Sequence, residues 1–173
     1  KEPVTNLEAV KVQATRRSTD IDTVPVAVTA ISGDALHSST VMDTQSLPML
    51  SPSLAVSISG NETGGSVIRI RGIGTAASNP GLESAVGVFI DGIYRARAGL
   101  ALDDLYDIDQ VEVLRGPQST LFGKNTSAGA ISIEPKKPTF TPEGYGSVSV
   151  GNYGSQVYSG AWSGPINDKL AVR

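Results

Sequence analysis

Cysteine is absent from this chain of 173 residues, and histidine occurs once. The first absence excludes disulfides and thiolate metal sites. The second leaves no histidine cluster and no H-E-x-x-H pair to hold a metal. The single His37 sits in a polar context before an expected helix. A lone histidine there is more often a surface or capping group than a base, and no G-x-S-x-G elbow accompanies it. Basic runs are also missing: the longest are Arg16-Arg17 and Lys136-Lys137, and the net charge is −3. A nucleic-acid surface therefore has little electrostatic support. Apolar runs are short, well below the ~18 residues of a membrane-spanning helix. Strands remain a way across a bilayer, because their alternating signal is weak. Lys1-Glu2-Pro3 opens a polar segment with no apolar signal-peptide core, as in a protein that is not exported or a sequence that begins after processing.

What the chain has in quantity is turn chemistry. It holds 19 glycines and 10 prolines with 39% apolar residues, the balance of a loop-rich β or mixed α/β protein. The length suits one core and some additional chain. The most ordered pattern lies between Asp107 and Pro138. Gln110–Leu114 and Ala130–Ile133 both alternate apolar and polar residues, so each predicts a strand with one apolar face. Between them Arg115-Gly116-Pro117 and a Gly/Asn/Ser-rich run predict a turn and a loop that no helix tolerates.

Upstream, Val10, Val12 and Ala14 share one face of an extended Val10–Thr15 segment, an edge strand or part of a polar tail. Pro25–Ile31 predicts a strand, and Ser32-Gly33-Asp34 a turn into a helix. Val41, Thr44, Leu47 and Leu50, three apart, predict one helical face limited to about two turns by Pro48 and Pro52. Leu54–Ile58 and Val67–Arg71 read as strands, as does Val86–Ile90, which Asp91-Gly92 returns as a hairpin through Ile93-Tyr94. Leu100–Asp107 reads as a short helix or turn. Its acids, with Asp103, Asp104, Asp107 and Asp109, lack the Gly-centred spacing of a calcium loop. The order predicts a mixed α/β sheet domain over residues 21–138.

Two phosphate-binding motifs are present only formally. Gly72-Ile73-Gly74-Thr75-Ala76-Ala77 follows a strand as G-x-G-x-x-A does, but Ser78-Asn79-Pro80-Gly81 breaks the helix that should receive a pyrophosphate. Gly123-Lys124 fails as a P-loop, since Gln118 and Asn125 occupy positions that need Gly and Ser or Thr. No catalytic constellation remains, so the expectation is that the protein is not an enzyme and carries no cofactor or metal. Beyond Pro138, Gly144–Val150 and Gln156–Ile166 alternate around an Asn152–Ser155 turn. Tyr145, Tyr153, Tyr158 and Trp162 supply interfacial aromatics, and Lys169–Arg173 begins a third strand.

The residues Glu112–Ile133, EVLRGPQSTLFGKNTSAGAISI, with the Lys-Lys-Pro exit, resemble the end of the N-terminal plug domain of TonB-dependent outer-membrane receptors. RIRGIG, VGVFIDGIY and DQVEVLRGP fall in the expected order before and within it. The resemblance implies an α/β (α+β) plug with a four-stranded type of mixed sheet and short helices. The first strands of a truncated transmembrane β-barrel would follow. Domain limits would be 1–20 for an N-terminal segment, 21–138 for the plug and 139–173 for the start of the barrel. A full barrel of about 22 strands needs several hundred residues, so the sequence reads as a fragment.

The same resemblance implies roles. LEAVKVQATRR is similar to a TonB box, with Leu7, Glu8, Ala9, Val10, Lys11 and Val12 as the segment that TonB takes up by strand addition. Lys11 and Gln13 depart from it, standing where members often carry more apolar residues. Arg69, Arg71, Glu112 and Arg115 would join plug to barrel. Asn61, Glu62, Thr63, Thr75, Ser78 and Asn79 would face the ligand from apical loops. The implied partners are the periplasmic domain of TonB, a small-molecule ligand of the ferric siderophore class, and outer-membrane lipid through the barrel. The implied place is the bacterial outer membrane, with the plug inside the barrel and the N-terminus periplasmic. The competing readings are an independent periplasmic binding or interaction module, and a soluble nucleotide-binding enzyme.

Overall fold

Chain turns and short strands dictate the layout. The computed structural model describes residues 10–39, 41, 43–58, 66–75, 82–96 and 105–173. The fold divides into two units, Lys1–Glu134 and Pro135–Arg173.

In the first unit β1 (Lys11–Val12) and β2 (Thr19–Asp20) pair as a small antiparallel hairpin. β3 (Ala27–Ser32) follows, and Ser32 caps α1 (Gly33–Ser38): its Oγ accepts the Ala35 N–H at 3.2 Å. His37 lies within that helix, in its last turn, rather than before it. The two-turn helix expected over Thr40–Leu50 does not form. The Asp43 side chain accepts the Ser46 N–H at 2.8 Å, and the chain then makes a single 3-10 turn at Leu47–Met49. A spacing of three residues is the period of that tighter turn, and Pro48 suits its start. Val41, Thr44 and Leu47 still point inward.

β4 (Leu54–Ile58) and β5 (Ser66–Ile70) form an antiparallel pair. β6 (Val86–Ile90) turns at Asp91-Gly92 into β7 (Ile93–Arg95). Both turn residues take positive φ, 49° and 73°, as the primed hairpin turn demands. β8 (Ile108–Arg115), a one-turn helix α2 (Ser119–Phe122) and β9 (Gly129–Pro135) complete the unit. The predicted loop thus does admit a helix, though one too short to need helix-forming residues. The main sheet has the order β3-β8-β9-β6-β7, with β3 antiparallel to β8 and β6 parallel to β9. It is mixed, as expected, and the short return strand β7 makes a fifth member. Of Leu100–Asp107, only Leu105–Asp107 lies within the described residues, and none of those three is helical.

Both faces of the central strands are covered. One packs Val111, Val113, Ile131 and Ile133 against Ile31, Leu36, Leu47, Ile68 and Ile70. The other packs Leu114, Ala130 and Phe89 against Val12 and Ala14 of the N-terminal segment. Residues 10–20 are therefore part of the first unit's core, whereas the sequence suggested a separate lead. A protruding segment would not bury Val12 and Ala14 completely.

The second unit is an antiparallel meander of β10 (Glu143–Val150), β11 (Gln156–Asn167) and β12 (Leu170–Val172). Its tight connection uses Tyr153 and Gly154 at φ 59° and 77°. Register places Val148 opposite Tyr158 and Gly144 opposite Trp162 on one face. The other face sets Ser147 opposite Ser159, their hydroxyls 2.6 Å apart. Val148, Val150, Tyr158 and Trp162 are all exposed. One side of this ribbon carries Val148, Val150, Tyr158 and Trp162, while the other carries Ser147, Ser149 and Ser159 together with Tyr145 and Val157.

Candidate functional site

The segment between β8 and β9 is held by its own backbone. Gly116, at φ 90°, donates its N–H to the Ala128 carbonyl at 3.1 Å, and Gln118 donates to Thr126 at 2.9 Å. α2 ends at Gly123 (φ 83°), whose carbonyl accepts the Thr126 hydroxyl at 2.7 Å. Asn125 donates its side-chain amide to the Tyr94 hydroxyl at 2.8 Å, tying the loop to β7. Lys124 pairs with Glu83 at 2.7 Å on the open surface, and that contact holds the Glu83 carboxyl below its usual range. Gly123-Lys124 closes a helix and makes an ion pair, which is a structural use for a pair that failed as a P-loop.

Beneath the N-terminal hairpin the chemistry is different. The strand period of two puts Gln110, Glu112 and Leu114 on the face that the hairpin covers. Glu112 has no exposed surface. Its Oε1 accepts the backbone N–H of Gln13 at 2.6 Å and the Gln110 Nε2 at 2.8 Å. The same Gln110 nitrogen donates to the Lys11 carbonyl at 3.1 Å. Glu112 Oε2 has no hydrogen-bond partner among the described residues. Burial raises the Glu112 pKa, the two hydrogen bonds oppose that rise, and the charge of Glu134 adds to it. Glu134 lies on the adjacent strand, nearly buried, and accepts the Ser132 hydroxyl at 3.0 Å. At the hairpin's far end Arg16, itself at φ 57°, stacks over the Phe122 ring with 5.2 Å to its centroid. Phe122 in turn meets Phe89 edge-on at 5.0 Å.

The candidate residues from the sequence are scattered by this geometry. Glu112 cannot serve as a surface contact to a barrel, since it is enclosed between β8 and the hairpin. Arg115 points to the opposite side of β8. Its Nη2 donates to the Val28 carbonyl at 3.3 Å, while its buried Nε has no partner among the described residues. Arg69 reaches the Ser57 hydroxyl at 3.4 Å. Arg71 is exposed at φ 53°, in a turn that its N–H anchors to Ser53 at 2.7 Å. Gly74, the second glycine of the formal nucleotide motif, packs against Arg69: a Cβ there would lie 2.6 Å from the Arg69 Cγ. Close packing, rather than a phosphate cradle, accounts for that glycine.

Of the presumed ligand-facing residues, Thr75 is half-buried and donates its hydroxyl to the Glu83 carbonyl at 2.9 Å. Asn61, Glu62, Thr63, Ser78 and Asn79 lie outside the described residues, as do Leu7, Glu8 and Ala9 of the coupling segment. Val10 is 50% exposed, whereas Lys11 and Val12 are already paired in β1. Neither Gln13 nor Gln110 is singled out by the sequence as a partner of Glu112. The signal for Gln110 was its place two residues before Glu112 on one strand face; Gln13, 99 residues from Glu112, offered none.

Residues 20–130 match the model of the TonB-dependent receptor plug domain. The pesticin receptor of Yersinia pestis is 35% identical over 147 residues, which cover 84% of this chain and 21% of that protein. The catecholate siderophore receptor Fiu of Escherichia coli is 34% identical over 79 residues, covering 46% and 9%. Among solved structures, the ferric yersiniabactin uptake receptor FyuA from Yersinia pestis superposes with a TM-score of 0.76 at 34% identity. That overlap covers 84% of this chain and 22% of FyuA. The chain thus spans about a fifth of the length of its first curated relatives. These relatives are receptors, not enzymes.

Proposed function

The chain belongs to the family of TonB-dependent receptor plug domains, and from that premise we propose that the whole protein imports a scarce nutrient, a ferric siderophore, by TonB-driven transport. The place of the family is the outer membrane, with the N-terminus on the periplasmic side. The observation that carries the reading is the succession of the two units: a mixed-sheet unit with the plug sequence, then antiparallel strands that expose Val148, Val150, Tyr158 and Trp162 on one face and set Ser147 against Ser159 on the other. The exposed apolar and aromatic face suits lipid, and the paired serines suit a polar lumen. In this reading residues 139–173 begin the barrel. The names of two relatives, a catecholate siderophore receptor and a ferric yersiniabactin uptake receptor, supply the ligand class. No catalytic role is assigned to the chain.

TonB would take hold upstream of the docked hairpin, at Leu7, Glu8, Ala9 and Val10, by adding them as a strand. Lys11 and Val12 could join only after leaving β1. Arg69, Arg71 and Arg115 remain candidates for ion pairs with acidic side chains of the surrounding barrel, and Thr75 with its neighbours for the ligand side. The test is capture of the full-length protein by the periplasmic domain of TonB, with and without residues 1–9. That deletion leaves β1 in place, so the expected result is loss of capture with the plug still folded. Equal capture by both proteins sinks the assignment of the coupling segment. A separate measurement addresses the ligand: the full-length protein should bind a ferric siderophore and not the iron-free molecule. For the plug contacts, Arg115→Ala in the full-length protein should raise amide exchange across the plug, since a desolvated ion pair loses several kcal/mol when one partner goes. Unchanged protection argues against such a pair.

A further inference from the structure

We propose that Glu112 and Gln110 form a clasp that fastens the N-terminal hairpin to the central strand β8, making the hairpin a separately releasable part of the first unit. The hairpin has little strength of its own. Each of its strands is two residues long, and such an isolated pair is marginal in water. Its open end is the Lys11↔Asp20 pair, beside the bond from the Ile21 N–H to the Val10 carbonyl. Traction from the N-terminal side therefore loads these bonds one after another rather than together.

Attachment to β8 supplies what the hairpin lacks. Glu112 Oε1 receives the Gln13 N–H at 2.6 Å, and Gln110 bridges Glu112 and the Lys11 carbonyl at 2.8 and 3.1 Å. A charged acceptor makes these bonds stronger than neutral ones. The same carboxyl also favours letting go. It is fully buried with Oε2 unbonded among the described residues, so lifting the hairpin returns that oxygen to water. Docking is held by directed bonds and by the burial of Val12 and Ala14, and release is partly offset by hydration of Glu112. An apolar residue at 112 would provide neither the bonds nor the relief. Both states thus lie within reach of each other, and Glu112 sets the balance between them. The clasp also redirects load. Without it, tension entering at Val10 follows the chain to the edge strand β3; with it, tension passes sideways into β8, which is paired on both sides within the sheet.

That tension comes from TonB rests on the coupling reading above, whereas the clasp is tested without TonB, so either can fail alone. Hydrogen exchange by mass spectrometry on the full-length protein compares peptides covering 10–21 with peptides covering β9. In Glu112→Ala, exchange over 10–21 should rise roughly tenfold or more while β9 keeps its protection, because a buried donor has lost its acceptor. Glu112→Gln, which keeps the acceptor oxygen, should restore most of that protection. Gln110→Ala should loosen the hairpin with the carboxyl left in place. Unchanged exchange over 10–21 in Glu112→Ala and Gln110→Ala overturns the clasp. So does an equal rise across β9, which would mean general destabilisation, and so does a failure of Glu112→Gln to protect better than Glu112→Ala.

Discussion

Gly129→Ala is expected to lower the stability of the first unit by about 4 kcal/mol, combining backbone strain with forced overpacking. Gly129 opens β9 at φ 154°, and a Cβ there would run into the Leu114 carbonyl oxygen and come 2.7 Å from the Ile70 Cδ1. Neither neighbour has room to retreat: Leu114 belongs to the central strand and Ile70 is fully buried. The loss is a large part of the stability of an ordinary domain, so the variant should unfold at a much lower denaturant concentration. Gly72→Ala is the control. Its φ is 79° but nothing lies within 4 Å of the added carbon, so only the left-handed conformation penalises it, by roughly 1 kcal/mol. Guanidinium denaturation of the two variants beside the parent protein checks both. Equal midpoints for the two would show that strain alone matters and that the packing at β9 is looser than described.

The second large effect is a dependence on pH carried by Glu112. Its carboxyl is pushed up chiefly by burial, with the Gln13 and Gln110 hydrogen bonds pulling the other way and the Glu134 charge adding to the rise. A raised native pKa means that the folded state binds the proton more tightly than the unfolded chain does. Stability from this group is then fully present below the ordinary glutamate range. It declines as pH rises toward the native value, and it is level above that. The slope in the window is at most about 1.4 kcal/mol per pH unit for one proton. Glu112→Gln cannot titrate, so the difference in stability between parent and variant, followed from acid to neutral pH, should tilt in the variant's favour. Taking the difference removes the contribution of groups that titrate alike in both. A flat difference, or one that tilts toward the parent as pH rises, contradicts the prediction.

Much of the fold was legible because its determinants are local. Asp91-Gly92 announced a hairpin through the backbone conformations it permits, Ser32 announced a helix start, and the alternation in β8 and β9 announced strands. The failures share a different physics. The spacing of Val41, Thr44 and Leu47 identified inward-facing residues correctly. It could not separate a helix from a turn of period three, because the choice lay with the Asp43 side chain and Pro48. The alternation in β8 implies one buried face, yet its polar face is buried as well. What covers it comes from the far end of the chain, 99 residues away for the Gln13–Glu112 bond. For the same reason a motif resemblance placed Glu112 among surface contacts, when the hairpin encloses it. The family itself was legible from one continuous run of residues, the signature around β8 and β9, and from the order of the shorter motifs before it.

The docked hairpin also stores length. Its ends meet, with the Val10 carbonyl 2.9 Å from the Ile21 nitrogen, so the twelve residues from Val10 to Ile21 contribute almost nothing to the distance the N-terminus can span. Drawn out straight, the same residues would reach about 40 Å. Opening the hairpin would therefore extend the N-terminal tether by more than the thickness of a bilayer's hydrocarbon core, about 30 Å. The five strands of the sheet need not part for that to happen. How far the N-terminus can travel from the first unit would then be decided by whether twelve residues are folded, and only secondarily by how much chain precedes them.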